Sequence, residues 1–125
     1  MNQESKENLA ELKKEVLDSM VDYLEDAIGD YDQTHIDQCE KYLDEYANDV
    51  AKADGDFIKI MALVEVVVVS LNQLNETCKH SLIETDQREC ICEFINQVII
   101  ENGIDLDALV SSQQCSDITE EWREW

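Results

Sequence analysis

The chain has 125 residues, 30 Asp and Glu against 9 Lys and Arg, a formal charge of −21, no proline and 3 glycines. That length fits one domain (residues 1–125) able to bury a core without disulfide or metal staples, and 44% hydrophobic residues in long periodic segments exclude an acidic disordered tail. Phosphate contacts need the Lys and Arg that are missing here, which excludes direct nucleic-acid binding, and the same charge opposes an anionic membrane surface.

The first predicted element runs from about Ser5 to Ile28. Leu9, Leu12, Val16, Met20, Tyr23 and Ala27 recur at steps of three and four, the spacing of an amphipathic helix. Gly29 punctuates its end, as Gly55 and Gly103 do for later segments. The second helix is expected to start near Thr34, with Asp37 three residues on as a capping-box-like partner. It places Ile36, Cys39, Leu43, Tyr46 and Val50 on one face.

Val66 to Val69 is a β-branched run that suits a buried strand. Yet Phe57, Ile60, Met61, Val64, Val67, Val68, Leu71, Leu74 and Cys78 hold helical spacing, and a lone strand has no partner. The expectation is therefore a central helix, apolar on nearly every side and enclosed by the others. Thr85 opens a fourth helix with Ile91, Phe94, Ile95, Val98 and Ile99 inward. Asp105 to Val110 reads as a short fifth turn. Asp117, with Glu120 three on, starts a last short helix carrying Ile118, Trp122 and Trp125. The fold class is all-α: a single compact bundle of four main helices plus short C-terminal helices.

Met1 to Glu15 lacks the apolar stretch of a signal peptide. The apolar run Phe57 to Leu71 spans 15 residues and includes Lys59 and Glu65, short and charged for a membrane span. Five scattered cysteines, an odd number, then read as reduced thiols, and the expected location is the cytoplasm. Cys78, His80, Cys90 and Cys92 supply zinc-type ligands. On a helix, however, Cys90 and Cys92 would point roughly 200° apart. Asp30-Tyr31-Asp32-Gln33-Thr34 begins like a calcium loop, but His35 and Lys41 stand where glycine and glutamate are required. No metal, no cofactor and no catalytic residue is assigned: His35 and His80 adjoin no nucleophile motif, and no glycine-rich phosphate loop exists.

The acids are the distinctive feature. Glu11, Glu15, Asp18, Asp22 and Glu25 recur at steps of four, three, four and three, opposite the apolar stripe. From Asp18 to Asp49 there are eleven acids and one base, Lys41. Ordinary solvated helix faces mix signs and gain from Glu–Lys pairs; like charges at this spacing cost stability. Solubility alone needs less charge, so the field points to a basic partner.

In size, acidity, helicity and cytosolic chemistry the whole chain resembles the small immunity proteins of bacterial toxin systems. The resemblance implies an inhibitor, not an enzyme, that occupies a cognate basic toxin, often a nuclease. Glu11, Glu15, Asp18, Asp22, Glu25 and Asp26 then carry the contact, and Asp30, Asp32, Asp37, Glu40, Asp44 and Glu45 extend it. A second reading is a nucleic-acid mimic of the phage antirestriction or anti-CRISPR kind. A third is a helical adaptor or homo-oligomer subunit acting through Trp122 and Trp125, unless those tryptophans dock on the bundle and close its core.

Overall fold

Among the described residues of this computed structural model, 2–25 and 31–125, the regular elements are all helices: α1 (Gln3–Glu25), α2 (Gln33–Ala51), α3 (Phe57–Thr77), α4 (Thr85–Glu101) and a short α5 (Leu106–Gln113). The expected end of the first helix, with Ala27, Ile28 and Gly29, lies outside the described residues, as do Asp26 and Asp30. The helices start where polar side chains satisfy free amides. Asn2 Oδ1 accepts from Ser5 N at 2.8 Å, and Asp56 and Asp105 cap α3 and α5. The second helix begins earlier than its sequence implies. Asp32, not Thr34, is the cap, and the reciprocal partner is His35, whose Nδ1 accepts from Asp32 N at 3.1 Å. An imidazole three residues into the helix does what glutamate usually does there. Gly55 and Gly103 follow α2 and α4 with φ of +73° and +75°, where a side chain would be strained.

The bundle is held by one apolar core. Leu9, Val16 and Met20 of α1, Ile36, Cys39, Leu43, Tyr46 and Val50 of α2, and Ile91, Phe94, Ile95, Val98 and Ile99 of α4 are buried together. Helix α1 packs chiefly on α4 and then on α2, while α3 packs chiefly on α2. Two buried tyrosine hydroxyls find partners: Tyr46 Oη donates to Ile95 O at 2.9 Å and Tyr31 Oη to Met20 O at 2.7 Å. Asn75 organises the turn from α3 to α4, its Oδ1 accepting from Ile83 N at 2.9 Å.

Helix α3 departs from expectation in one respect. The β-branched run is helical, as its flanking periodicity requires. The helix is not enclosed, however: Ile58 is 84% and Val66 62% exposed. Because α1, α2 and α4 contact one another, α3 is left on the flank of α2. Ile60, Val64, Val68 and Leu71 face the core, and Ala62 and Val66 face out. By length and composition alone α3 is also apolar enough to cross a membrane, which its 15-residue apolar run did not suggest.

The last segment forms successive turns rather than a helix. Its predicted cap is present, with Asp117 Oδ1 accepting from Thr119 N at 2.9 Å and Glu120 Oε1 from Ser116 N at 2.8 Å. Asn72 of α3 then diverts the chain. Its Nδ2 donates to Trp122 O at 2.7 Å, and its Oδ1 accepts from Glu124 N at 3.1 Å. Those two bonds to the Asn72 side chain satisfy a backbone carbonyl and a backbone amide that a further helical turn would have paired.

Candidate functional site

The acidic ridge lies along the outer face of α1. Glu11, Glu15, Asp18, Asp22 and Glu25 are all exposed, and so are Glu4 and Glu7. These two were missed, although steps of three and four carry the same line back to the start of the helix. Seven carboxylates therefore follow one stripe about 30 Å long, at 1.5 Å rise per residue. Within it Asp18 has a basic partner, Lys14, at 2.8 Å, a fully solvated pair of little energetic weight.

The ridge widens toward α4. A groove of about 210 Å³ between the two helices is lined by Asn8, Glu11, Leu12, Glu15, Glu93 and Gln97. Tyr23 Oη donates to Asp86 Oδ2 at 3.0 Å across the same seam, which raises the Tyr23 pKa. The Cys90 thiol lies within it as well. Partial burial raises its pKa first, and then the charges of Glu15, Glu93, Asp86 and Glu89 add to the effect. Asp86, Glu89 and Glu93 were not among the expected contact residues. Their spacing of three and four on α4 was legible, but their place beside α1 is set by tertiary packing. At the far end, hydrogen bonds from Ser5, then Gln97 and Asn8, hold the Glu101 carboxyl below its usual range despite some burial.

The acids expected to extend the surface from α2 are arranged differently. Glu40 and Asp44 close on Lys13 of α1 at 3.1 and 2.9 Å. Partial burial disfavours the Lys13 charge, but hydrogen bonds and charge from Asp44 and Glu40 outweigh it and raise its pKa. The Asp32 carboxylate accepts from Thr34 as it caps α2, the first cause of a lowered pKa. Asp37 accepts from Gln33 Nε2 at 3.0 Å and stays exposed. Glu45 is exposed beside Tyr42, Leu63 and Val66, in a hollow facing α3. Lys13 thus separates the ridge from much of α2, and the continuous acidic surface belongs to α1 and α4.

Trp122 and Trp125 are half-buried against the core, with Ile118 fully within it. Arg123 between them donates to Cys92 Sγ at 3.0 Å and lies 5.7 Å from the Trp125 ring centroid. The tryptophans dock on the bundle; the Trp125 indole N–H is buried without a hydrogen-bond partner. Cys90 and Cys92 face different surroundings, carboxylates for the first, Thr119 and Arg123 for the second. Among the described residues no group of three or more His, Cys, Asp or Glu is placed to hold a metal ion.

Compared with protein families, with curated proteins and with solved structures, the chain matches none.

Proposed function

We propose that this protein binds and neutralises a basic protein, in the manner of an immunity protein that inhibits a cognate nuclease-type toxin. One observation carries the reading: a stripe of seven carboxylates on α1, broadened by Asp86, Glu89 and Glu93, against which the α1 stripe sets one pairing base, Lys14. Holding that many like charges three and four residues apart costs helix stability. A cationic cleft that must be found quickly would offset the cost, because complementary fields raise association rates 10- to 1,000-fold, on the order of magnitude seen for steered pairs. The surface is polar, offers no catalytic constellation among its described residues, and acts by occupancy.

The deciding experiment is capture on the tagged protein from the lysate of its source cells, washed at low and then high salt. One basic toxin, lost when Asp18, Asp22 and Glu25 are all changed to Lys, is the expected result. The triple reversal is expected to weaken binding at least about 1,000-fold, since like charges across an interface cost several kcal/mol. A set of unrelated DNA-binding proteins released together would favour the nucleic-acid mimic instead. Affinity unchanged by the reversal would sink both.

A further inference from the structure

Lys59, Ala62, Val66, Val69, Gln73 and Glu76 follow one another on α3 at steps of three, four, three, four and three. That alternation keeps side chains on one stripe facing a partner helix. Val69 is half-buried and the other five are exposed. Among the described residues, neither end charge, Lys59 or Glu76, makes an ion pair within the chain. From this stripe we propose that α3 is the seam through which two copies of the chain pair, antiparallel and about a two-fold axis.

Charge restricts what can cover this face. Two chains of −21 each repel strongly wherever their acidic surfaces meet. Helix α3 carries Lys59, Glu65 and Glu76 alone among its 21 residues, a net of −1, so of the four long helices it is the one on which two copies can approach with least repulsion. A basic protein is drawn to the longer acidic ridge of α1; beside α3 the neighbouring carboxylates are Glu45 and Asp49 of α2, at the hollow next to Val66. The stripe is also complementary to its own reverse. Turned end for end, Lys59 of one copy faces Glu76 of the other at both ends, Ala62 faces Gln73, and Val66 faces Val69 at the centre. Glu65, beside the stripe, falls opposite Ser70 rather than another carboxylate. A parallel pair would set Lys59 on Lys59 and Glu76 on Glu76. Isologous pairing of one patch with itself is what a two-fold dimer requires.

The seam is about 26 Å long at 1.5 Å per residue, and one helix pair buries less than the ~800 Å² per partner of a standard interface. The dimer is therefore weak and concentration-dependent. Added salt screens the repulsion between the two chains and strengthens it, whereas salt weakens capture of a basic partner by the ridge. The two readings thus fail independently.

Sedimentation of the purified chain from about 10 to about 500 μM, in low and in about 0.5 M salt, tests the pairing. A reversible dimer that salt favours is expected. Val66→Lys, at an exposed position and with its fold checked by circular dichroism, should weaken it at least tenfold. Lys59→Glu alone should do the same by placing like charges at both ends, and the swap Lys59→Glu with Glu76→Lys should restore it. A monomer at every concentration overturns the proposal. So does a dimer indifferent to Val66→Lys, or one that the swap fails to restore.

Discussion

Helices α1 and α3 are nearly the same length, 23 and 21 residues, and both bury one face in the same core. Their outer faces share a spacing of threes and fours but not a chemistry. On α1 the stripe is filled with carboxylates. On α3 it holds Ala62, Val66 and Val69 between one Lys and one Glu. Core packing constrains only the inner faces, Leu9, Val16 and Met20 in one helix and Ile60, Val64, Val68 and Leu71 in the other. The outer faces are free of that constraint. On the two proposals, that difference reflects what each face would meet: an opposite charge on α1, and a second copy of the chain on α3.

The sharpest way to break this comparison is at two neighbouring isoleucines of α3. Ile60 is fully buried and Ile58 is 84% exposed. Ile60→Ala removes buried methyl groups and leaves a cavity, and is expected to cost about 2–5 kcal/mol. Ile58→Ala should change stability by no more than about 0.5 kcal/mol. Urea unfolding of both variants measures the contrast. Equal losses would mean that α3 is enclosed and has no outer face.

That contrast also marks how far the sequence can be read. The helical spacing from Phe57 to Cys78 overrode the strand propensity of Val66 to Val69, and the observed helix agrees. The enclosure expected of so apolar a helix did not follow, because which helix lies in the middle depends on three-dimensional packing. Local periodicity carries no information on it. The same limit applies to the acids. The α1 ridge is set by spacing within one helix, so it was legible and extends to Glu4 and Glu7. The junction with Glu93, and the capture of Glu40 and Asp44 by Lys13, join residues far apart in sequence. His35 was overlooked as a cap partner because the usual signature at that position is Glu or Gln.

A smaller effect tests the ridge itself. Glu11→Gln, Glu15→Gln and Asp22→Asn together leave the Lys14–Asp18 pair intact and relieve like-charge contacts three and four residues apart. At a few tenths of a kcal/mol per contact, the variant should gain about 1 kcal/mol in low salt. The gain should shrink in about 0.5 M salt, where the Debye length falls to a few ångströms. Glu65→Gln on α3, beside no such run, should leave thermal stability unchanged. A ridge variant no more stable than the parent would mean that the carboxylates are too well solvated to feel one another.

The smallest expected effect reads the field without unfolding the protein. Cys90 sits where α1 and α4 meet, and its thiol pKa is raised above the ordinary cysteine value by partial burial and then by Glu15, Glu93, Asp86 and Glu89. Cys92, two residues on, is raised by burial but drawn down by its bonds to Thr119 and Arg123. Thiolate is the reactive form, so alkylation rate against pH, resolved by peptide mass, reports each thiol separately. Changing Glu15 and Glu93 to Gln removes two anions that oppose the thiolate. The Cys90 midpoint should then move down, and added salt should move it the same way in the parent protein. Neither treatment should shift Cys92 as far, since its nearest charge is a cation. Burial acts on both thiols and is unaffected by salt. A Cys90 midpoint that salt leaves in place would therefore assign its shift to desolvation alone, and the carboxylates around the groove would exert no field strong enough to draw in a basic partner.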